Sequence, residues 1–87
     1  MKLVFTDTFR RDHQTLPAKV QRALDEALTF LLAHPRHPSL RAKKIQGTDI
    51  WYTRASRAHR FTFQLEGDTA TLRRVGTHAI LARERSQ

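Results

Sequence analysis

Arg60, Arg74 and His78 have the types and spacing for chemistry at a phosphodiester. The two arginines stand at the ends of neighbouring strand-like runs, and the histidine follows the second run, so a sheet pairing those runs would collect all three at one place. Attack of a ribose 2′-OH on the adjacent phosphate needs a group to take that proton and a group to protonate the leaving 5′-oxygen. It also needs fixed positive charge for the phosphorane oxygens. A metal ion is optional in this scheme, and no cofactor is expected. Histidine, with a reference pKa near 6.5, serves either proton-transfer role at neutral pH. The planar arginine fork grips phosphate through two parallel hydrogen bonds. His78 is therefore the first candidate for proton transfer, and Arg60 and Arg74 are the candidates for charge stabilisation. Arg41, Lys43, Lys44, Arg54 and Arg57 are candidates for holding the nucleic-acid backbone.

Each residue also has a plainer reading. A histidine after a strand can be a surface residue or the cap of the following turn. Arg60 and Arg74 could be cross-strand partners of Glu66, Asp68 or Glu84, although an exposed pair contributes under roughly 1 kcal/mol and gives little reason to keep arginine there. A lone tryptophan such as Trp51 is more often core than a base-stacking platform. His13, His34 and His37 match no zinc spacing with one another or with His59, and are expected to be solvated.

Composition favours a polyanion as partner. Sixteen Lys and Arg against eight Asp and Glu give a formal net charge of +8, and such a surface attracts nucleic acid. The charge is also segregated. Arg36, Arg41, Lys43, Lys44, Arg54, Arg57 and Arg60 share a stretch whose only acid is Asp49, whereas Asp7, Asp12, Asp25 and Glu26 lie in the first third. The absence of cysteine excludes disulfides, thiolate metal sites and thiol nucleophiles. No apolar run approaches the roughly 20 residues that cross a bilayer, and the N-terminus turns polar too soon for a signal peptide. A cytoplasmic protein without a membrane partner is expected, as one domain over residues 1–87.

The elements that must position these residues follow from pattern. Lys2 to Thr6 reads as a strand, followed by a short helix carrying Phe9 with Thr6, Asp7 or Thr8 as cap. Pro17 suits the first position of a second helix. That helix shows Val20, Ala23, Leu24, Ala27, Leu28, Leu31 and Leu32 at three- and four-residue spacing. The prolines at 35 and 38 end it. Ala42–Gln46, Ile50–Arg54, His59–Glu66 and Thr69–Gly76 are strand-length runs separated by turn residues, which predicts an antiparallel meander. In the third run Phe61, Phe63 and Leu65 face the helices and Arg60 the open side. In the last, Leu72 and Val75 demand opposite parities, which a bulge near Arg73 and Arg74 would reconcile. Ala79 to Arg85 reads as a final helical turn or a frayed end. The fold class is α+β: an N-terminal strand and two helices packed on one face of a mostly antiparallel, four- to five-stranded twisted sheet.

The order of these features resembles the RelE/ParE superfamily of bacterial and archaeal toxins. The likeness is carried by the Leu16-Pro17 junction, the His-Pro run from His34 to Pro38 with Ser39, Leu40 and Arg41, and the Ile50-Trp51…Arg54 strand. It is completed by the His59-Arg60-Phe61 strand start and the Val75-Gly76-Thr77-His78 ending. The resemblance implies a toxin of a type II toxin–antitoxin system. It also implies a cognate antitoxin whose acidic or amphipathic segment wraps the basic face, in a toxin–antitoxin hetero-oligomer. RelE-like members are ribosome-dependent mRNA endonucleases, in which matches to Arg60 and to the Arg74–His78 ending are active-site elements; ParE-like members poison DNA gyrase. The expected function is metal-independent cleavage of translated mRNA on the ribosome. A gyrase-directed toxin and a non-catalytic nucleic-acid-binding module are the alternatives. Where the family commonly has an acidic residue after the Val-Gly-Thr-His ending, this chain has Ala79 and Ile80, and no aromatic residue follows Phe63. A base must then stack on Trp51, on Tyr52 or on the ribosome itself.

Overall fold

The computed structural model describes residues 1–85. Its elements are β1 (Lys2–Phe5), α1 (Asp7–Gln14), α2 (Ala18–Ala33), β2 (Lys43–Lys44), β3 (Ile50–Arg54), β4 (Arg60–Glu66), β5 (Thr69–Gly76) and α3 (Ala79–Arg85). The sheet order is β1-β5-β4-β3-β2, with β1 parallel to β5 and every other pair antiparallel. The α+β fold expected from the sequence is thus the fold found.

Thr6 is the cap of α1. Its hydroxyl accepts from the Phe9 N–H at 3.1 Å and donates to the Leu72 carbonyl at 2.8 Å, so one side chain starts the helix and ties it to β5. Pro17 occupies the N-cap of α2, one position before the first helical residue. From α2, Leu24, Ala27, Leu28 and Leu31 are buried. They pack with Phe9, Leu40, Phe61, Phe63, Leu72 and Val75 in one core on the helix-facing side of the sheet. Phe61 and Phe63 are completely buried, each a contribution of roughly 1.5–3 kcal/mol. Leu32 departs from expectation and is 48% exposed, because it lies roughly a quarter turn from the centre of the buried stripe. β2 is likewise shorter than the predicted strand, spanning only Lys43–Lys44.

Register fixes which side chains share a face. Trp51 pairs with Phe63 and Thr53 with Phe61, on the core side; Tyr52 pairs with Thr62 and Arg54 with Arg60, on the other. That second face is only partly open, since α3 crosses it with Ile80 and Glu84 buried. Gly76 permits the crossing: a Cβ there would meet Ile80 Cγ2 at 2.9 Å. At the β4–β5 hairpin Gly67 holds a φ of 61°, which a side chain would resist.

The bulge lies where the parity conflict placed it. Phe63 pairs with Leu72 and Thr62 with Arg74, leaving Arg73 as the extra residue of β5. The two backbone donors that follow it are satisfied by side chains. Arg74 N–H donates to Thr62 Oγ1 at 3.0 Å and Val75 N–H to Asp12 Oδ2 at 3.2 Å. Among the described residues no helix is long and apolar enough to cross a membrane.

Candidate functional site

At the end of the sheet where β3 stops and β4 starts, Arg54, Arg60, Tyr52 and Lys43 line a groove of about 800 Å³. Its other walls are Pro38 to Arg41 from the loop after α2, and His78 and Leu81 from the start of α3. Thr53, buried beneath, donates its hydroxyl to the Leu40 carbonyl and so fixes that loop to β3. Arg41 holds a φ of 50°, a left-handed conformation that a non-glycine residue adopts at some cost.

Arg60 is oriented before any ligand arrives. Its Nη1 donates to the carbonyls of Ser56 at 3.0 Å, Arg57 at 3.3 Å and His59 at 2.9 Å. Nε and Nη2 have no partner among the described residues, which leaves one side of the guanidinium fork available. His78 is exposed, and its imidazole makes no hydrogen bond to a described residue. Its carbonyl accepts the Leu81 N–H at 3.0 Å, within the first turn of α3.

Of the residues singled out in the sequence, the groove gathers Arg60, His78, Arg41, Lys43 and Arg54. Arg74 is elsewhere. Its Nε and Nη2 bind the two oxygens of Asp12 at 2.7 and 3.2 Å, on α1 rather than in the groove. The hydrogen bond to Asp12 raises the Arg74 pKa above its ordinary value, burial opposes the shift, and the charges of Asp12 and Glu84 add to it. Of the three acids suggested as its partner, Glu84 reaches it only as a charge at a distance. The carboxylate of Glu84, 1% exposed, accepts from Arg73 Nε at 2.6 Å, and Arg73 Nη1 also donates to Gln64 at 2.9 Å.

Lys44 pairs with Trp51 on the core side of the sheet, 3.7 Å from Asp49. Arg57 sits exposed in the β3–β4 turn, where its carbonyl steadies Arg60. The remaining histidines are engaged. His34 and His37 accept the backbone N–H two residues ahead, His37 stacks on Phe30 at 4.6 Å, and His13 lies 3.6 Å from Asp25. No group of three or more metal-binding side chains occurs among the described residues.

Sequence reasoning did not place Ser39 or Leu81 at the groove, and it named Tyr52 only as one of two aromatic residues on which a base could stack. For Tyr52 a signal existed: it shares strand parity with Arg54, and Arg54 pairs with Arg60.

No protein-family model matches the sequence, and no curated protein matches it. Solved structures do match. The RelB-RelE antitoxin–toxin complex from Methanococcus jannaschii aligns at 20% identity and a TM-score of 0.77, over 93% of this chain and 96% of that one. A YoeB/ParE toxin from Agrobacterium tumefaciens gives 20% and 0.77 over 90% and 99%. The isolated RelE toxin of E. coli gives 20% and 0.71 over 99% and 98%. Sheet order, the paired helices on one face and near-complete coverage of both chains identify the architecture, and the chain has the RelE/ParE fold.

Proposed function

We propose that this protein is the toxin of a toxin–antitoxin pair and that it cuts translated mRNA on the ribosome. The observation that carries the reading is the groove itself. It joins a pre-oriented arginine and an exposed, uncommitted histidine within a wall of three further cations, Arg41, Lys43 and Arg54.

In this reading the free side of the Arg60 fork takes two oxygens of the scissile phosphate and stabilises the charge that develops on them. His78 moves one proton, either from the 2′-OH or to the leaving 5′-oxygen, and solvent water exchanges the other. Arg41, Lys43 and Arg54 hold the flanking phosphates, while Arg57 in the β3–β4 turn and Lys44, nearer the opposite end of the sheet beside Asp49 and Trp51, meet the ribosome. Arg74 acts at one remove, anchoring the last turn of β5 to α1 and so fixing the approach to His78. With a single imidazole in the groove, the ribosome supplies alignment of the strand. The cognate antitoxin covers the groove with an acidic segment, neutralising the +8 charge.

The test is induced expression of wild type, His78→Ala and Arg60→Ala in a bacterium, with growth followed beside 5′-end mapping of a translated message. Growth arrest and new message ends with wild type alone support the reading. Arrest by all three proteins without new ends points instead to gyrase or another target. No arrest by any of them favours a binding module.

A further inference from the structure

We propose that Tyr52 is the platform on which one base of the bound RNA stacks, an inference that rests on the RNA-cutting reading above. The sequence offered two aromatic residues for this role, and register separates them. Trp51 pairs with Phe63, packs against the core and carries Lys44 Nζ 5.9 Å from its ring centroid. Tyr52 faces the other way, between Lys43 and Thr62, and lines the groove with Arg60 and His78.

Tyr52 is also unengaged. It is half-buried, and among the described residues its hydroxyl makes no hydrogen bond and its ring no aromatic or cation–π contact. Every other Phe and Trp side chain of the described residues packs in the core or lies against a neighbouring ring. The rest of the groove explains what such a ring is for. Arg41, Lys43, Arg54 and Arg60 can satisfy phosphates, but cations alone do not fix which nucleotide lies against the histidine. Single-stranded RNA is held in register by splaying a base onto an aromatic face, and loss of one stacked base costs about five- to 150-fold in binding.

The test is a double-mutant cycle between protein and RNA on programmed ribosomes. Cleavage of an intact codon is compared with cleavage of messages carrying an abasic ribose at each codon position in turn, by wild type, Tyr52→Phe and Tyr52→Leu. Matching melting temperatures show that each variant is folded. The expected result is one codon position at which base removal slows wild type and Tyr52→Phe by a common factor of at least about fivefold. At that position Tyr52→Leu, already slower on the intact message, loses nothing more.

If the protein and RNA changes act independently, or if Tyr52→Leu cuts the intact message as fast as wild type, the proposal is overturned. If Tyr52→Phe is as slow as Tyr52→Leu, the phenol and not the ring face matters, and stacking is again overturned. A wild type that cuts intact and abasic messages alike defeats the platform alone. A wild type that cuts no message defeats the RNA-cutting reading and the platform together.

Discussion

Removing Asp12 is expected to destabilise the protein more than removing Arg74, and removing both to cost little more than removing Asp12. The carboxylate accepts two bonds from the Arg74 guanidinium and one from the Val75 N–H, and the two side chains are only 18% and 22% exposed. An exposed pair contributes under about 1 kcal/mol, and breaking a fully buried one costs about 3–5 kcal/mol. With four-fifths burial, Asp12→Ala is placed at about 2–3 kcal/mol, since it strands both a cation and a backbone donor. Arg74→Ala leaves Asp12 its bond to Val75 and is placed at about 1–2 kcal/mol. The coupling is then about 1.5 kcal/mol, and Asp12→Ala should lower Tm by about 10–20 °C in a domain of this size. Urea unfolding followed by Trp51 fluorescence measures all four corners of the cycle. The pH dependence has a definite sign. A raised Arg74 pKa means that its stabilisation is fully present below the ordinary arginine value of at least about 12 and is lost only above it. Coupling should therefore not change between pH 7 and 10. A coupling below about 0.5 kcal/mol, together with an Arg74→Ala protein of normal stability that no longer cuts message, would refute the clamp and return Arg74 to the phosphate.

Three further outcomes are expected. His78→Ala should lower single-turnover cleavage on ribosomes by about 10²–10⁴-fold with Tm unchanged, the range of a lost proton-transfer group. Gly76→Ala should cost about 1–3 kcal/mol in urea unfolding by overpacking against Ile80, with chemical-shift changes concentrated in α3 and at His78. Glu84→Ala should cost about 2–3 kcal/mol by removing the buried carboxylate that accepts from Arg73 Nε beneath α3, and Glu84→Gln less than that because it still accepts a hydrogen bond.

How far the sequence could be read depended on how local each determinant is. Strand and helix spans came from periodicity, and the bulge came from a conflict between Leu72 and Val75 only three residues apart. The nearness of Arg60 to His78 was legible because both mark strand ends that a meander necessarily brings together. The partner of Arg74 was not legible: Asp12 lies 62 residues away, and α1 reaches β5 only because β1 pairs in parallel with it. Glu84 was read as a partner for Arg60 or Arg74 rather than for Arg73, since strand parity alone does not say which arginine at the bulge meets the last helix. Strand alternation alone puts Trp51 and Tyr52 on opposite faces, but their cross-strand neighbours Phe63 and Thr62 show which of the two faces the groove.

Counted against β4, β5 is one residue too long. Excise Arg73, and the pairs from Thr69 with Glu66 to Gly76 with Arg60 close into an unbroken ladder in which every core position keeps its place. As an indel site, this position is therefore cheap for the hairpin and costly for the C-terminal helix, because the surplus residue is what turns one arginine toward Glu84 and the next toward Asp12. Relatives of this fold that lack the extra residue should be those whose last helix is anchored by other means or is missing.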